Sequence, residues 1–253
     1  MISSFYESDR ALSEYLLFHY GTRDQVLSFP FGPSDALDFP VRCVRECLDP
    51  KRLPSNAVAL DLGCAVGRST FELARLCERV VGIDCSRRFV EAAERLRREG
   101  ALSYQYLEEG TLAKAAVGSV PKEIDRRRVH FEVGDAQNLR PGLGEFDVIL
   151  MANLIDRLSD PEACLRGLCR LVRLAGQLII TSPYTWLTDY TPREKWLGGY
   201  EKDGVAVTTL QALRGILEPD FSLAFRRDLP FLIREHARKF QWSIAEATLW
   251  IRV

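Results

Sequence analysis

Val58-Ala59-Leu60-Asp61-Leu62-Gly63-Cys64-Ala65-Val66-Gly67 is the stretch from which the rest of the chain is read. Ala57 to Asp61 predicts a buried strand, and the small residues after it predict a tight turn into a helix starting near Arg68. Gly63, Ala65 and Gly67 alternate, which lets the backbone bend sharply and approach a ligand closely. The following helix would aim its free N–H groups and positive dipole end back at the turn. A dinucleotide fingerprint begun at Gly63 needs glycine at 65 and 68, where this chain has Ala65 and Arg68. A phosphate-binding loop needs Lys and then Ser or Thr after its second glycine, and Arg68 stands in the Lys position. The turn therefore suits a ligand that brings no phosphate to it.

A length of 253 residues suits one α/β domain with additions and a sizeable core. Lys plus Arg number 34 against 35 Asp plus Glu, so no basic excess invites nucleic acid or anionic lipid. The sequence has no apolar run of roughly 18 residues that could span a membrane. Met1 to Arg10 lacks the basic and apolar regions of a signal peptide. The seven cysteines are odd in number and scattered, with no Cys-x-x-Cys, which predicts reduced thiols in a cytoplasmic protein. His19, His130 and His236 lie far apart, and no metal site is expected.

Working outward, residues 1–56 read as helical. Ser8 caps a helix running to Tyr20 and stopped by Gly21, Phe29 to Pro33 forms a rigid turn, and a second helix runs from about Pro40 to Leu48. This segment is either an extension packed on the sheet or a lid bringing Tyr6, Tyr15 and Tyr20 over a ligand. Arg79 to Asp84 reads as the second strand, followed by a helix from Arg87 to Arg98. Asp84 lies 21 residues after Gly63, the spacing at which a carboxylate meets ribose hydroxyls, with capping of the next helix as the plain alternative. Residues 100–128 are too long for an ordinary connection. Tyr104 to Gly110 suggests a small hairpin there, serving substrate, dimer or surface alike.

Val129 to Val133 is the third strand, and Asp135 and Ala136 after it are placed to meet an adenine. Phe146 to Met151 is a strand apolar enough to be covered on both faces, and it ends at Ala152 and Asn153 on the ligand edge. A helix from Pro161 to Leu174 and a strand from Gly176 to Thr181 follow. Residues 182–200 form a structured loop rich in aromatics and prolines. Thr209 to Leu217 reads as a helix, and Phe221 to Arg227 and Ser243 to Val253 as closing strands joined by residues 228–240.

Asp61 to Gly67 resembles the first motif of the class I S-adenosylmethionine-dependent methyltransferases. Longer strings resemble one family among them: Tyr6 to Asp9, Phe18 to Gly21, Ala152 to Leu158, Ser182 to Tyr184, Tyr190 to Gly198 and Pro230 to His236. These strings are similar to those of the 4-mercaptohistidine (5-thiohistidine) N-methyltransferases of ovothiol biosynthesis. The resemblance implies a doubly wound, mostly parallel seven-stranded Rossmann-like sheet with an N-terminal helical extension and two insertions. It implies one domain over 1–253, with a lid at 1–56, a cofactor-binding core at 57–182, and substrate loops with closing strands at 183–253. S-adenosylmethionine would be held by Asp61, Gly63, Cys64, Ala65, Gly67, Asp84, Cys85, Asp135, Ala136 and Asn153; Ala65 replaces the motif's usual middle glycine.

For the acceptor, Asn153 or Tyr184 would orient the ring, Arg234 would take the carboxylate and Glu235 the α-ammonium. The plain alternatives pair Arg234 with Glu235 on the surface and put Tyr184 in the core. His19 and His236 are structural or catalytic alike. The resemblance further implies pairing with an iron-dependent sulfoxide synthase, whose part this chain lacks the length and clustered histidines to supply. Another small-molecule N- or O-methyltransferase and a non-catalytic cofactor-binding partner are the rival readings.

Overall fold

A computed structural model describes residues 4–253, so residues 1–3 of the expected lid lie outside the described residues. In chain order the elements are α1 (Asp9–Tyr20), α2 (Arg23–Val26), α3 (Phe39–Arg45), β1 (Val58–Leu62), α4 (Arg68–Leu73), β2 (Arg79–Asp84) and α5 (Arg87–Glu99). Then come β3 (Ala101–Glu109), β4 (Leu112–Ser119), β5 (Val129–Val133), β6 (Phe146–Ala152), α6 (Pro161–Leu168) and β7 (Val172–Ser182). The chain closes with β8 (Tyr200–Lys202), β9 (Val205–Val207), α7 (Thr209–Leu217), β10 (Phe221–His236) and β11 (Lys239–Arg252).

Seven strands form one sheet in the order β10-β11-β7-β6-β1-β2-β5. β5, β2, β1, β6 and β7 run parallel, while β11 is antiparallel to both β7 and β10. The doubly wound, mostly parallel sheet expected from the sequence is the one found. Right-handed crossovers place α4 and α5 on one face as the chain moves outward from β1. The direction reverses at β6, and the same handedness sends α6 to the other face. Phe71, Phe89 and Leu96 accordingly pack in one core and Leu165, Leu168, Leu213 and Leu217 in the second. β1 lies between β2 and β6, so the reversal opens a crevice at the C-terminal ends of these strands.

Three elements differ from the sequence reading. α6 stops at Leu168 rather than Leu174, because Val172 already pairs with Phe146 and begins β7. α4 has only six residues, so its dipole adds little to whatever holds a ligand at the turn. Residues 228–240 are not a connecting loop. β10 and β11 pair without interruption from Phe221↔Arg252 to His236↔Lys239, apart from two bulges. Pro230 is tolerated within β10 because that strand lies at the sheet edge, where a missing N–H breaks no second ladder.

The insertion at 100–128 holds the antiparallel pair β3 and β4, packed outside α1. Ser13 Oγ donates to Gln105 O, and a Cβ on Gly118 would come within 3.0 Å of Tyr20, so little slack separates hairpin and helix. α1 packs against β10 and the hairpin. It is capped by Ser8, whose side chain accepts from Ala11 N, and buries Ala11, Leu16 and Leu17 in the core. Its Tyr15, Phe18 and His19 face the crevice.

Candidate functional site

A cavity of about 440 Å³ opens where β1, β2, β5 and β6 end, with α1 and residues 4–7 as its roof. Its floor begins at the turn after β1. Gly63 N and Cys64 N donate to Ile83 O at 2.8 and 3.1 Å, drawing the turn against β2. Gly63 and Gly67 sit at φ +77° and +84°, and Ala65 at φ +48°. That left-handed geometry costs a residue with a Cβ about 1–2 kcal/mol, and Ala65 is held in it by donating its N–H to Asp84 Oδ2 at 2.9 Å. Tyr20 Oη donates to Val66 O at 2.8 Å, tying the roof to the same turn.

Asp84 is the best-defined polar group on the floor. Its Oδ2 accepts from Ala65 N and its Oδ1 from Ser86 N, at 2.9 and 2.8 Å. Each oxygen keeps lone-pair capacity beyond that single bond. Burial pushes the carboxyl up while the two backbone N–H groups pull it down, with a net rise. Gly63, Cys64, Ala65, Cys85, Asp135, Ala136 and Asn153 all line the same cavity. Asp135 Oδ1 accepts from Gln137 N at 2.9 Å, which turns the chain so that Ala136 follows it on the wall. Asn153, at φ +52°, donates its N–H to Thr181 O at 2.8 Å, while its Oδ1 accepts from Thr181 Oγ1 at 3.0 Å.

Asp61 and Gly67 do not reach the cavity wall. Asp61 is fully buried; its Oδ2 accepts from Ser69 Oγ and Thr70 Oγ1, both at 2.7 Å, and its Oδ1 has no partner among the described residues. Burial raises this carboxyl to about 6. It shapes the turn and holds Ser69, which does line the cavity. Gly67 is needed for space, since a Cβ there would meet Phe131 at 2.5 Å.

Three residues expected to meet the acceptor lie elsewhere. Tyr184 Oη donates to Glu246 at 2.8 Å, and its ring packs on the second core. Arg234 is 3% exposed, pairs with Glu108, donates to Gln25 O and lies over the Tyr106 ring. Glu235 meets Arg10 at 3.2 Å, Lys239 at 2.9 Å and Gln241 at 3.0 Å. The continuous β10 explains the correction. A bulge between Arg234 and His236 breaks the alternation there, and each side chain is committed to other partners, Arg234 to Glu108 and Gln25 and Glu235 to Arg10, Lys239 and Gln241, so neither a shared substrate site nor a mutual ion pair forms. His236 does not line the cavity, whereas His19 does.

On the upper wall the sequence offered Tyr6, Tyr15 and His19 but missed Arg157 and Tyr190, while Tyr20 does not line the cavity. His19, Tyr15, Tyr6 and Tyr190 follow one another at ring-centroid spacings of 5.9, 6.1 and 6.3 Å. Arg157 Cζ lies 4.8 Å from the Tyr190 ring centre. Tyr6 is held from behind by Ser86 Oγ donating to its carbonyl at 2.9 Å. Tyr190 belongs to a loop pinned by Thr191 Oγ1 donating to Leu158 O at 2.7 Å. Among the described residues His19 Nδ1 has no partner, and burial, helped by Arg68, pushes the imidazole down to about 3, leaving it neutral at pH 7. Arg157 and Tyr190 were visible only as members of the strings Ala152 to Leu158 and Tyr190 to Gly198; no spacing rule marks them.

A likeness to solved structures bears on what such a crevice belongs to. N-methyltransferase NodS from Bradyrhizobium japonicum, solved with S-adenosyl-L-homocysteine, superposes with a TM-score of 0.54 at 15% identity, covering 95% of this chain and 98% of that one. The fold is that of the class I methyltransferases. Within this methyltransferase fold, residues 60–180 match the family model described as a methyltransferase domain. Among curated relatives, norajmaline N-methyltransferase of Rauvolfia serpentina is 28% identical over 191 residues, 72% of this chain and 57% of the relative. Ajmaline N-methyltransferase of the same plant is 28% identical over 155 residues, 61% of this chain and 44% of the relative. The chain thus spans about half the length of the curated relatives it matches. Among the described residues no group of three or more His, Cys, Asp or Glu side chains converges as a metal site. No helix among them is long and apolar enough to cross a membrane.

Proposed function

We propose that the chain is an S-adenosylmethionine-dependent N-methyltransferase acting on a ring nitrogen of 5-thiohistidine. The single observation that carries the cofactor reading is Asp84, fixed by two backbone N–H groups beside a turn whose sequence lacks a phosphate-binding pattern. Its spare lone pairs suit two vicinal ribose hydroxyls, and Asp135 with Ala136 suits an adenine edge, so the residues present fit the donor. The relatives' N-methyltransferase names support the reaction class. The strings that resemble those of the thiohistidine family support the acceptor.

S-adenosylmethionine supplies, when bound, an electrophilic methyl group on a sulfonium. The chain's task is then alignment, which can contribute roughly 7–11 kcal/mol to a barrier. An imidazole of ordinary pKa, about 6.5, already offers one nitrogen lone pair at pH 7, so no strong base is needed. Neutral His19, which lines the cavity, can offer a ring nitrogen to the acceptor's second ring nitrogen and select its tautomer. The wall of Tyr6, Tyr15 and Tyr190 gives a flat ring a surface to stack on and keeps water from it. The same placement must turn the acceptor's sulfur, the better nucleophile, away from the methyl group. Among the described residues all seven cysteines are unpaired, which supports a reducing cytosol as the setting. An iron-dependent sulfoxide synthase would be the enzyme that makes this acceptor.

Incubation with the donor and, separately, 5-thiohistidine, histidine and simple phenols tests the reading by mass spectrometry. N-methylation of thiohistidine is the expected result. Turnover of a phenol alone discards the acceptor, and donor binding without any product discards catalysis.

A further inference from the structure

Once Arg234 is found outside the cavity, the acceptor's carboxylate needs another partner, and the cavity wall holds one candidate cation. Among the described residues Arg157 is the only Arg or Lys lining it. The residue is built in. Its Nη1 donates to Asp156 O at 2.9 Å, to Asp156 Oδ2 at 2.9 Å and to Thr185 O at 3.0 Å. The Asp156 side chain is itself 1% exposed, and its Oδ2 also accepts from Thr185 N at 3.1 Å. These bonds consume one nitrogen of the fork and leave its remaining donors beside the Tyr6 hydroxyl and over the Tyr190 ring. A guanidinium so fixed, with donors to spare, suits a planar two-oxygen anion.

We infer that Arg157 is the carboxylate anchor of this cavity, and that the carboxylate it takes is the acceptor's. The inference rests on the acceptor reading above and gives that site its orientation. The wall has a cation at the Tyr190 end and the neutral His19 imidazole at the other. An amino acid with an imidazole side chain has its two recognition points in the same order, carboxylate at one end and ring nitrogen at the other. The acids of the cavity, Asp84 and Asp135, lie on the floor at the ends of β2 and β5, where they would repel a carboxylate.

The test uses the full chain saturated with S-adenosylhomocysteine, so that binding is read without turnover. Calorimetry compares 5-thiohistidine with its decarboxylated twin, and histidine with histamine. In the unaltered protein the carboxylate-bearing member of at least one pair should bind about tenfold tighter or more, equivalent to about 1.4 kcal/mol. In Arg157→Gln that ratio should fall close to one, and Arg157→Lys should restore part of it. S-adenosylhomocysteine affinity should change little, while Tm should fall in Arg157→Gln as the buried Asp156 loses its charged partner, and fall less in Arg157→Lys. Equal weakening of both twins would mean a structural role and overturn the proposal. A loss falling on S-adenosylhomocysteine instead would assign the anchor to the donor's own carboxylate, which also overturns it. Preference for neither carboxylate-bearing probe in the unaltered protein has the same consequence. Failure of thiohistidine turnover, with the histidine and histamine ratio intact and sensitive to Arg157, discards the substrate and keeps the anchor.

Discussion

Asp84 and His19 are opposite cases of a buried titratable side chain. Asp84 remains committed to hydrogen bonds with two backbone N–H groups, and its remaining capacity points at the cavity. Asp84→Ala should weaken S-adenosylhomocysteine binding at least tenfold, about 1.4 kcal/mol, by calorimetry; an unchanged affinity would put the ribose elsewhere. His19 is held neutral by burial, with its pKa near 3 against an ordinary value of about 6.5. The unfolded chain therefore takes up a proton below pH 6.5 that the folded chain refuses. Stability from this residue is full above that pH and is lost as pH falls toward 3. His19→Gln should narrow the difference in Tm between pH 7 and pH 5 relative to the unaltered protein, even if it lowers both values. An unaltered difference would show that other groups set the acid sensitivity. Asp84 was legible from its spacing to Gly63, whereas the unpartnered nitrogen of His19 exists only because α1 folds over the sheet.

The hairpin of β3 and β4 acts at the scale of elements. It backs α1 through Ser13 and joins β10 through Arg234, whose guanidinium bridges Glu108 and the Gln25 carbonyl. Ala237 N donates to Glu108 O at 3.1 Å, so the hairpin is fastened by backbone as well as by charge. Arg234→Ala should cost about 2 kcal/mol, since a buried charge-assisted contact is lost while Glu108 remains partly solvated. Thermal melting checks the loss. Because Arg234 touches no part of the cavity, the KM values for donor and acceptor should change by the same factor. A rise confined to the acceptor would restore Arg234 to the substrate site. The hairpin itself was readable from its alternation and Gly110. Its attachment was not, because the partners are 92 and 126 residues apart in the chain.

Across the whole molecule, one core cluster takes Ala11 and Phe39 from the N-terminal segment, Phe71 and Phe89 from the middle, and Phe231 and Leu249 from the closing strands. The expected lid, core and closing strands thus share buried surface. A single thermal transition over 1–253 is expected by calorimetry, with two separate transitions as the contrary result. Ligand binding should act on the roof most strongly. Tyr20 ties α1 to the turn, and Tyr15, Phe18 and His19 cover the cavity. S-adenosylhomocysteine should slow amide exchange in residues 9–20 more than in α6 or α7. Equal protection of all helices would show that α1 does not respond to the site.

By itself the sequence determined the parallel sheet, the order of its strands and helices, and the floor of the crevice. Those follow from apolar periodicity, small residues at a turn and a carboxylate at a set distance, which are all local along the chain. Tertiary structure alone decided the wall facing that floor, where Tyr6, His19, Arg157 and Tyr190 meet from three separate segments. It also decided against Arg234 and Glu235. Their string reads as a loop until β10 is paired with β11, and that pairing carries Arg234 to Glu108 and Glu235 to Arg10, Lys239 and Gln241, away from the cavity. Which polar groups share a site depends on that pairing, and a linear pattern carries no record of what lies across the fold.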